Sequence, residues 1–187
     1  IFLRYFHKSF FILKDSIDNN TMSQFKKDYE LGKLSEARSL PDLNTIFKTQ
    51  LIHDPETFAH FDFYNDDIMV ELKTRPSTEW TGEVMKHTTR TGREMNLDTL
   101  YFDSPKMAFA FQHNKHRRLR NEKEKRFYIV WKCSDQYFYW EMNWKGESGN
   151  REDFYIEDQN RDFGHGYKQD RAVVNVRLDK INHASLL

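Results

Sequence analysis

The chain has 187 residues, 38% of them hydrophobic and 16% aromatic, which suits one domain with a real core and a globular fold rather than disorder. Lys+Arg and Asp+Glu number 29 each, so no overall charge draws it to nucleic acid, and any such surface has to come from local segregation. One cysteine, Cys133, excludes an internal disulfide and a cysteine zinc cluster; no run nears the ~20 apolar residues of a membrane span, and an intracellular setting (cytoplasm, nucleoid or nucleus) without a membrane partner is expected.

Ile1 to Leu13 is rich in aromatics but broken by Arg4, His7 and Lys8, with no small-residue cleavage site after it, so it does not read as a signal peptide. Met22-Ser23-Gln24-Phe25-Lys26 looks like a natural start. Two readings of residues 1–21 stand: an extension outside the native domain, or a helix packed on it through Phe2, Phe6, Phe10 and Leu13. Residues 22–187 are expected to form a single domain. Residues 21–51 read as helical, with Thr21 or Ser23 as cap. Phe25, Tyr29, Leu31 and Leu34 give a broken apolar stripe, and Leu43, Ile46, Phe47 and Leu51 continue it. Between them Pro41 either ends one helix or opens a second. His53-Asp54-Pro55-Glu56 reads as a loop into a strand from Phe58 to Tyr64.

That strand and Ile68 to Lys73 make a hairpin about a polar turn. Period-two alternation puts Phe61 and Phe63 on one face and Asp62 on the other; across the turn Ile68, Val70 and Leu72 oppose Met69, Glu71 and Lys73. With Asn65-Asp66 as the loop, or residues 64–67, Asp62 pairs with Met69 and shares a face with Glu71 and Lys73. A three-residue loop reverses that parity. Hard divalent cations take carboxylate oxygens, and a lysine beside them orients a water or helps take its proton.

On these residues the chain resembles the PD-(D/E)xK nuclease superfamily, whose signature is an Asp on one strand and Glu-x-Lys on the next, here Asp62 and Glu71-Leu72-Lys73. Phe61 stands where that signature commonly has Pro. The resemblance implies an α/β restriction endonuclease-like core in the order αβββαβ, a central mixed β-sheet flanked by helices. It also assigns a role to Gly32-Lys33-Leu34-Ser35-Glu36, since many members carry Gly-x-x-x-Glu on the first helix. Glu36 is then a metal-site carboxylate, with Glu30 as the fallback. His60 is a further ligand on this reading, and more commonly a surface histidine.

Thr74 to Asn96 is polar and reads as a long loop, a substrate-facing flap carrying Arg75, Lys86, His87, Arg90 and Arg93, with Trp80 exposed and able to stack on a base. Leu97 to Asp103 reads as a third strand with Leu100 and Phe102 inward. Ser104 as cap and Pro105 as first helical residue open a helix to about Arg120. Its first half, Met107 to Phe111, is apolar. Its second half, Lys115-His116-Arg117-Arg118-Leu119-Arg120, is the densest positive charge in the chain, fit for a phosphate backbone or simply for the helix dipole. The resemblance implies that this helix borders the substrate groove, and singles out Lys106 and Gln112.

Arg126–Lys132 and Tyr137–Met142 form a second, aromatic hairpin around Ser134-Asp135-Gln136. Gly146 and Gly149 mark a loop, Phe154-Tyr155-Ile156 a short extra element, Phe163 to Tyr167 a turn, and Ala172 to Leu178 a last strand. The chain has no Gly-x-Ser-x-Gly, no Walker loop and no His-Glu-x-x-His, its eight histidines lack paired ligand spacing, and no signature surrounds Cys133.

The expected function is therefore that of a metal-dependent nuclease. Asp62, Glu71 and Glu36 hold one or two Mg²⁺ ions (Mn²⁺ substituting), the Leu72 carbonyl adds a ligand, and Lys73 positions the attacking water and stabilises charge at the phosphate. Lys106, Gln112, Lys115, Arg117, Arg118, Arg120, Arg75 and Trp80 are the expected nucleic-acid contacts. DNA is the expected substrate because most of the superfamily cuts DNA. Duplex, single-stranded and branched forms stay open, as do endo- and exonuclease action, and a homodimer is compatible. The alternative is a non-catalytic nucleic-acid-binding or protein-interaction module, in which Asp62, Glu71 and Lys73 are a cross-strand ion pair worth under ~1 kcal/mol if exposed.

Overall fold

The computed structural model describes residues 19–54, 56, 60–89, 91–142, 153–162 and 168–184. The stretches 1–18 and 143–152, the 163–167 turn, Arg90 and the expected strand start at Phe58 lie outside the described residues. The chain divides into two compact units, residues 1–35 and residues 36–187. Of the first, the stretch 19–35 belongs to helix α1 (Asn19–Phe47), and its Leu31 and Leu34 are exposed. All that follows concerns the second unit.

Helix α1 runs through Pro41, so neither expected break occurs there. It stops at Lys48, whose positive φ of 51° turns the chain left-handed, and Lys48 and Thr49 N–H groups donate back to Thr45 and Asn44 carbonyls. The Asn44 side chain then accepts from Leu51 N–H at 2.8 Å, steering the chain into β1 (Ile52–His53). This short strand takes His53 from the expected loop, while Asp54 and Glu56 stay outside any strand. It pairs antiparallel with β2 (Phe63–Tyr64), which pairs with β3 (Ile68–Arg75).

The register of β2 on β3 sets the site. Phe63 lies opposite Val70 and Tyr64 opposite Met69, so the next position, Asp62, faces Glu71 rather than Met69. The reason is Asn65. Its side-chain oxygen accepts from Asp67 N–H and Ile68 N–H, each at 2.9 Å, and wraps residues 65–68 into a four-residue turn. The slip is two residues, so parity survives and the carboxylates stay on the side expected. The first strand does not extend back from Phe63: residues 60–62 form a bend. Phe61 and Phe63 therefore part company, Phe61 packing in one cluster with Met107 and Phe127 and Phe63 in the other with Val70.

Strand β3 pairs on its other side, in parallel, with β8 (Arg126–Cys133), and β8 runs antiparallel to β9 (Gln136–Glu141) about the tight turn at Ser134, as expected. With β12 (Asn182–Ala184) on β9, this gives a six-stranded mixed sheet in the order β1-β2-β3-β8-β9-β12. Both faces are covered, and alternation sorts the residues. Ile68, Val70, Leu72, Tyr128, Val130 and Tyr137 face Leu43 and Phe47 of α1. Phe127, Ile129, Trp131, Phe138 and Trp140 face the other side, with Met107 and Ala110 of α2 (Ser104–Leu119). Each fully buried side chain of this size contributes about 2–3 kcal/mol.

Three expectations change in the connection from β3 to β8. Thr74 to Asn96 is not a loop but a small antiparallel sheet of β4 (Thr78–Trp80), β5 (Met85–Thr88) and β6 (Glu94–Leu97). The third strand, β7 (Thr99–Asp103), is inward-facing at Leu100 and Phe102 as expected, but joins β11 (Lys168–Arg177) and β10 (Phe154–Asp162) rather than the main sheet. The cap of α2 is Asp103, not Ser104, and its side chain makes no capping bond. The class is α/β with a mixed sheet, and the two described helices cover its faces.

Candidate functional site

Because both faces of β3 are covered, even its polar face is buried: Glu71 is 3% exposed. An isolated carboxylate there would be unfavourable by several kcal/mol. Two lysines meet it. Lys73 Nζ lies 2.7 Å from Glu71 Oε1, and Lys106 Nζ lies 2.8 Å from Oε2. Lys106 arrives because β7 ends at Asp103 and α2 begins at once, so its first turn hangs over β3. The same junction sets Asp103 Oδ2 3.9 Å from Lys73 Nζ, with Arg171 3.4 Å from the other oxygen. Lys106 also donates to the His60 carbonyl at 2.6 Å.

Asp62 is held by backbone. Beyond Phe63 the β2 ladder ends, and Leu72 N–H donates instead to Asp62 Oδ2 at 2.7 Å. In a strand the N–H and C=O of one residue face the same neighbour, so the Leu72 carbonyl faces the Asp62 side too. Burial, then the charges of Glu71 and Glu36, push the Asp62 carboxyl up to about 7 against the pull of the Leu72 N–H and Lys106. For Lys73, burial works downwards, but the adjoining Glu71, with Asp103 and Asp62, outweighs it and holds the ammonium above its ordinary range. Lys73 is thus a fixed cation. It can orient a water and stabilise negative charge.

The structure brings Asp62, Glu71, Lys73 and Lys106 together, with Glu36 close enough to act on Asp62. Glu36 Oε2 is itself engaged by His53 Nε2 at 2.8 Å. His53 and Asp103 do not emerge from the sequence as site residues; for Asp103 the only signal is its place at a strand end directly before Ser104-Pro105, and for His53 there is none. The His60 ring stacks on Phe109, ring centres 4.0 Å apart.

The expected nucleic-acid contacts scatter. Gln112 and Lys115 lie further along α2. Arg117 and Arg120 pair with Glu122 and Arg118 with Glu124, so the basic helix end is largely matched by the acids that follow it. Arg75 lies over the Tyr101 ring and donates to its carbonyl. Trp80 is not an exposed platform: it is half-buried against the core, edge-on to Phe138. Cys133 is fully buried, which pushes its thiol up to about 12 and makes it a poor nucleophile.

One atom tests whether these groups suit a divalent cation. Glu71 Oε2 is buried and has no hydrogen-bond partner, although Lys106 stands 2.8 Å away: the two form a charge pair without hydrogen-bond direction. A buried carboxylate oxygen that makes no hydrogen bond, beside the half-buried Asp62 carboxylate, is a hard-cation donor set, and the residues fit. The set is small. Among the described residues no group of three or more His, Cys, Asp and Glu is placed to hold a metal, so Asp62 and Glu71 would need the Leu72 carbonyl and water to complete it. A cavity of about 620 Å³ lies elsewhere, lined by Phe47, Lys48, Ile68, Arg126 and Tyr139 at the start of β3. No described helix is long and apolar enough to cross a membrane.

Compared with protein-family models, with curated proteins and with solved structures, the chain matches none.

Proposed function

We propose that the protein is a metal-dependent phosphodiesterase of the PD-(D/E)xK type, with a restriction endonuclease-like core and DNA as substrate. The observation that carries this is the buried Glu71 carboxylate, facing Asp62 across the hairpin and flanked by Lys73, with its Oε2 ion-paired to Lys106 but making no hydrogen bond. Asp62, Glu71 and the Leu72 carbonyl would hold Mg²⁺ or Mn²⁺. When bound, that ion supplies Lewis acidity at the scissile phosphate and lowers the pKa of a water. Lys73 holds the attacking water in line and offsets charge growing on the phosphate. Glu36, oriented by His53, adds negative charge beside Asp62.

A second reading has its own support. Glu71 is neutralised by two lysines and Glu36 is bonded to His53, so the cluster also makes sense as a structural ion network in a non-catalytic binding module. Incubation of the protein with plasmid and single-stranded DNA, plus Mg²⁺ or Mn²⁺, separates the two. Cleavage that disappears in Asp62→Ala and Lys73→Ala is the expected result. Cleavage surviving both substitutions removes the site, and no cleavage with no metal bound favours the module.

A further inference from the structure

Lys106 occupies the place where a cation would sit. Its Nζ bridges Glu71 Oε2 at 2.8 Å and the His60 carbonyl at 2.6 Å, one carboxylate oxygen and one backbone oxygen, both donors of the kind a hard cation takes. Glu71 is already served on its other oxygen by Lys73. Two cations therefore share one buried carboxylate, and the contact at Oε2 lacks hydrogen-bond direction. A divalent ion entering from the Asp62 side meets the Lys106 charge at that oxygen, and in so dry a place like charges repel strongly. Lys106 can give way where Lys73 cannot. Lys73 springs from β3, where its backbone is paired with Trp131 of β8, whereas Lys106 springs from the first turn of α2 and has a long stem that can carry its head towards water.

We propose that Lys106 is an internal counter-ion that competes with the divalent cation for Glu71 Oε2, holding that oxygen in the metal-free protein and leaving it when the ion enters. It is a positioning residue: it sets the affinity for the metal and keeps Glu71 from standing uncompensated before the metal arrives. The inference rests on the cation site proposed above, and the test tells the two apart. Mn²⁺ binding to the full chain is measured calorimetrically for the wild type, Lys106→Met and Glu71→Gln. The Lys106→Met protein is expected to bind Mn²⁺ about tenfold more tightly than the wild type, the scale on which groups around a metal site move affinity, while Glu71→Gln loses binding. Equal or weaker binding by Lys106→Met overturns the competition and leaves the cation site standing. No binding by the wild type or Lys106→Met overturns the cation site and the competition with it. Should Lys106→Met fail to fold, ¹⁵N-lysine spectra of the wild type replace it, the Lys106 signal assigned through Lys106→Arg. That signal is expected to move as Mg²⁺ is added, and a signal unmoved at saturating Mg²⁺ overturns the proposal.

Discussion

Two sets of opposite charges sit at the two ends of the segment from Glu71 to Glu124, and they differ in almost every respect that decides energy. At Glu71 the carboxylate is sealed at 3% exposure, and its lysines are about one-fifth exposed. At the end of α2, Arg118 and Arg120 are more than half exposed, and so are free to trade Glu124 and Glu122 for water. The first set cannot lose a member cheaply, because the survivor keeps its desolvation penalty. The second can, because solvent replaces the partner. On the function proposed above, the first set is the reaction centre and the second is where a polyanion is met.

That contrast can be broken in order of size. The largest effect is on turnover: Asp62→Ala and Lys73→Ala should each reduce Mg²⁺-dependent DNA cleavage about a thousandfold in single-turnover assays, the upper end for removing one preorganised electrostatic group. Next, Lys73→Met should destabilise the metal-free fold by about 3 kcal/mol in urea unfolding, since Glu71 keeps only Lys106. A loss there below roughly 0.5 kcal/mol, the level of an exposed pair, would erase the distinction between the two sets.

Third comes pH. The Asp62 carboxyl goes from its ordinary 3.8 up to about 7 on folding, so the folded state holds this proton more tightly than the unfolded chain. The stabilisation it gives is therefore complete below about pH 4 and lost as pH rises towards 7. Asp62→Asn, which can still accept from Leu72 N–H, should stabilise the metal-free protein by on the order of 2 kcal/mol at pH 8 and change little at pH 4. A stability gain that is the same at both pH values would show that Asp62 is not desolvated. The smallest effect belongs to the exposed set. Arg118→Ala and Arg120→Ala should each change stability by under about 0.5 kcal/mol, while the salt dependence of DNA binding should flatten by roughly one unit of slope for each phosphate no longer neutralised.

What the sequence made legible was local. The stripe Leu43, Ile46 and Phe47, the two strands of the β8–β9 hairpin and the apolar first half of α2 each follow from periodicity within one element, and all pack where that periodicity put them; Leu51 is buried too, but beyond the end of α1. Parity on β3 was legible for the same reason, because a two-residue slip leaves every side chain on its face. The register itself was not, since it hangs on the Asn65 side chain folding back over Asp67 and Ile68. Phe61 misled because alternation holds only inside a strand, and the chain bends before Phe63. The small β4–β5–β6 sheet was hidden by short polar strands whose pattern resembles a loop. Asp103 and His53 needed three-dimensional information, since their partners Lys73 and Glu36 lie on other elements; Lys106 was singled out by the resemblance, but its pairing with Glu71 was not. The arginines of α2 looked unopposed only because Glu122 and Glu124 fall past the helix end.

The parallel pairing of β3 with β8 has a consequence for how the chain reaches this state. Glu71 lies beside Ile129 in that ladder, and the small sheet, β7 and all of α2 must be threaded between them before the ladder can close. Closing so long a loop is entropically slow. Until it closes, nothing shields Glu71 or Asp62 from water, so their charges stay hydrated through the early steps of folding. The dehydration of the carboxylates then falls late, together with the arrival of Lys106, and the folding rate should carry the same pH dependence as the site.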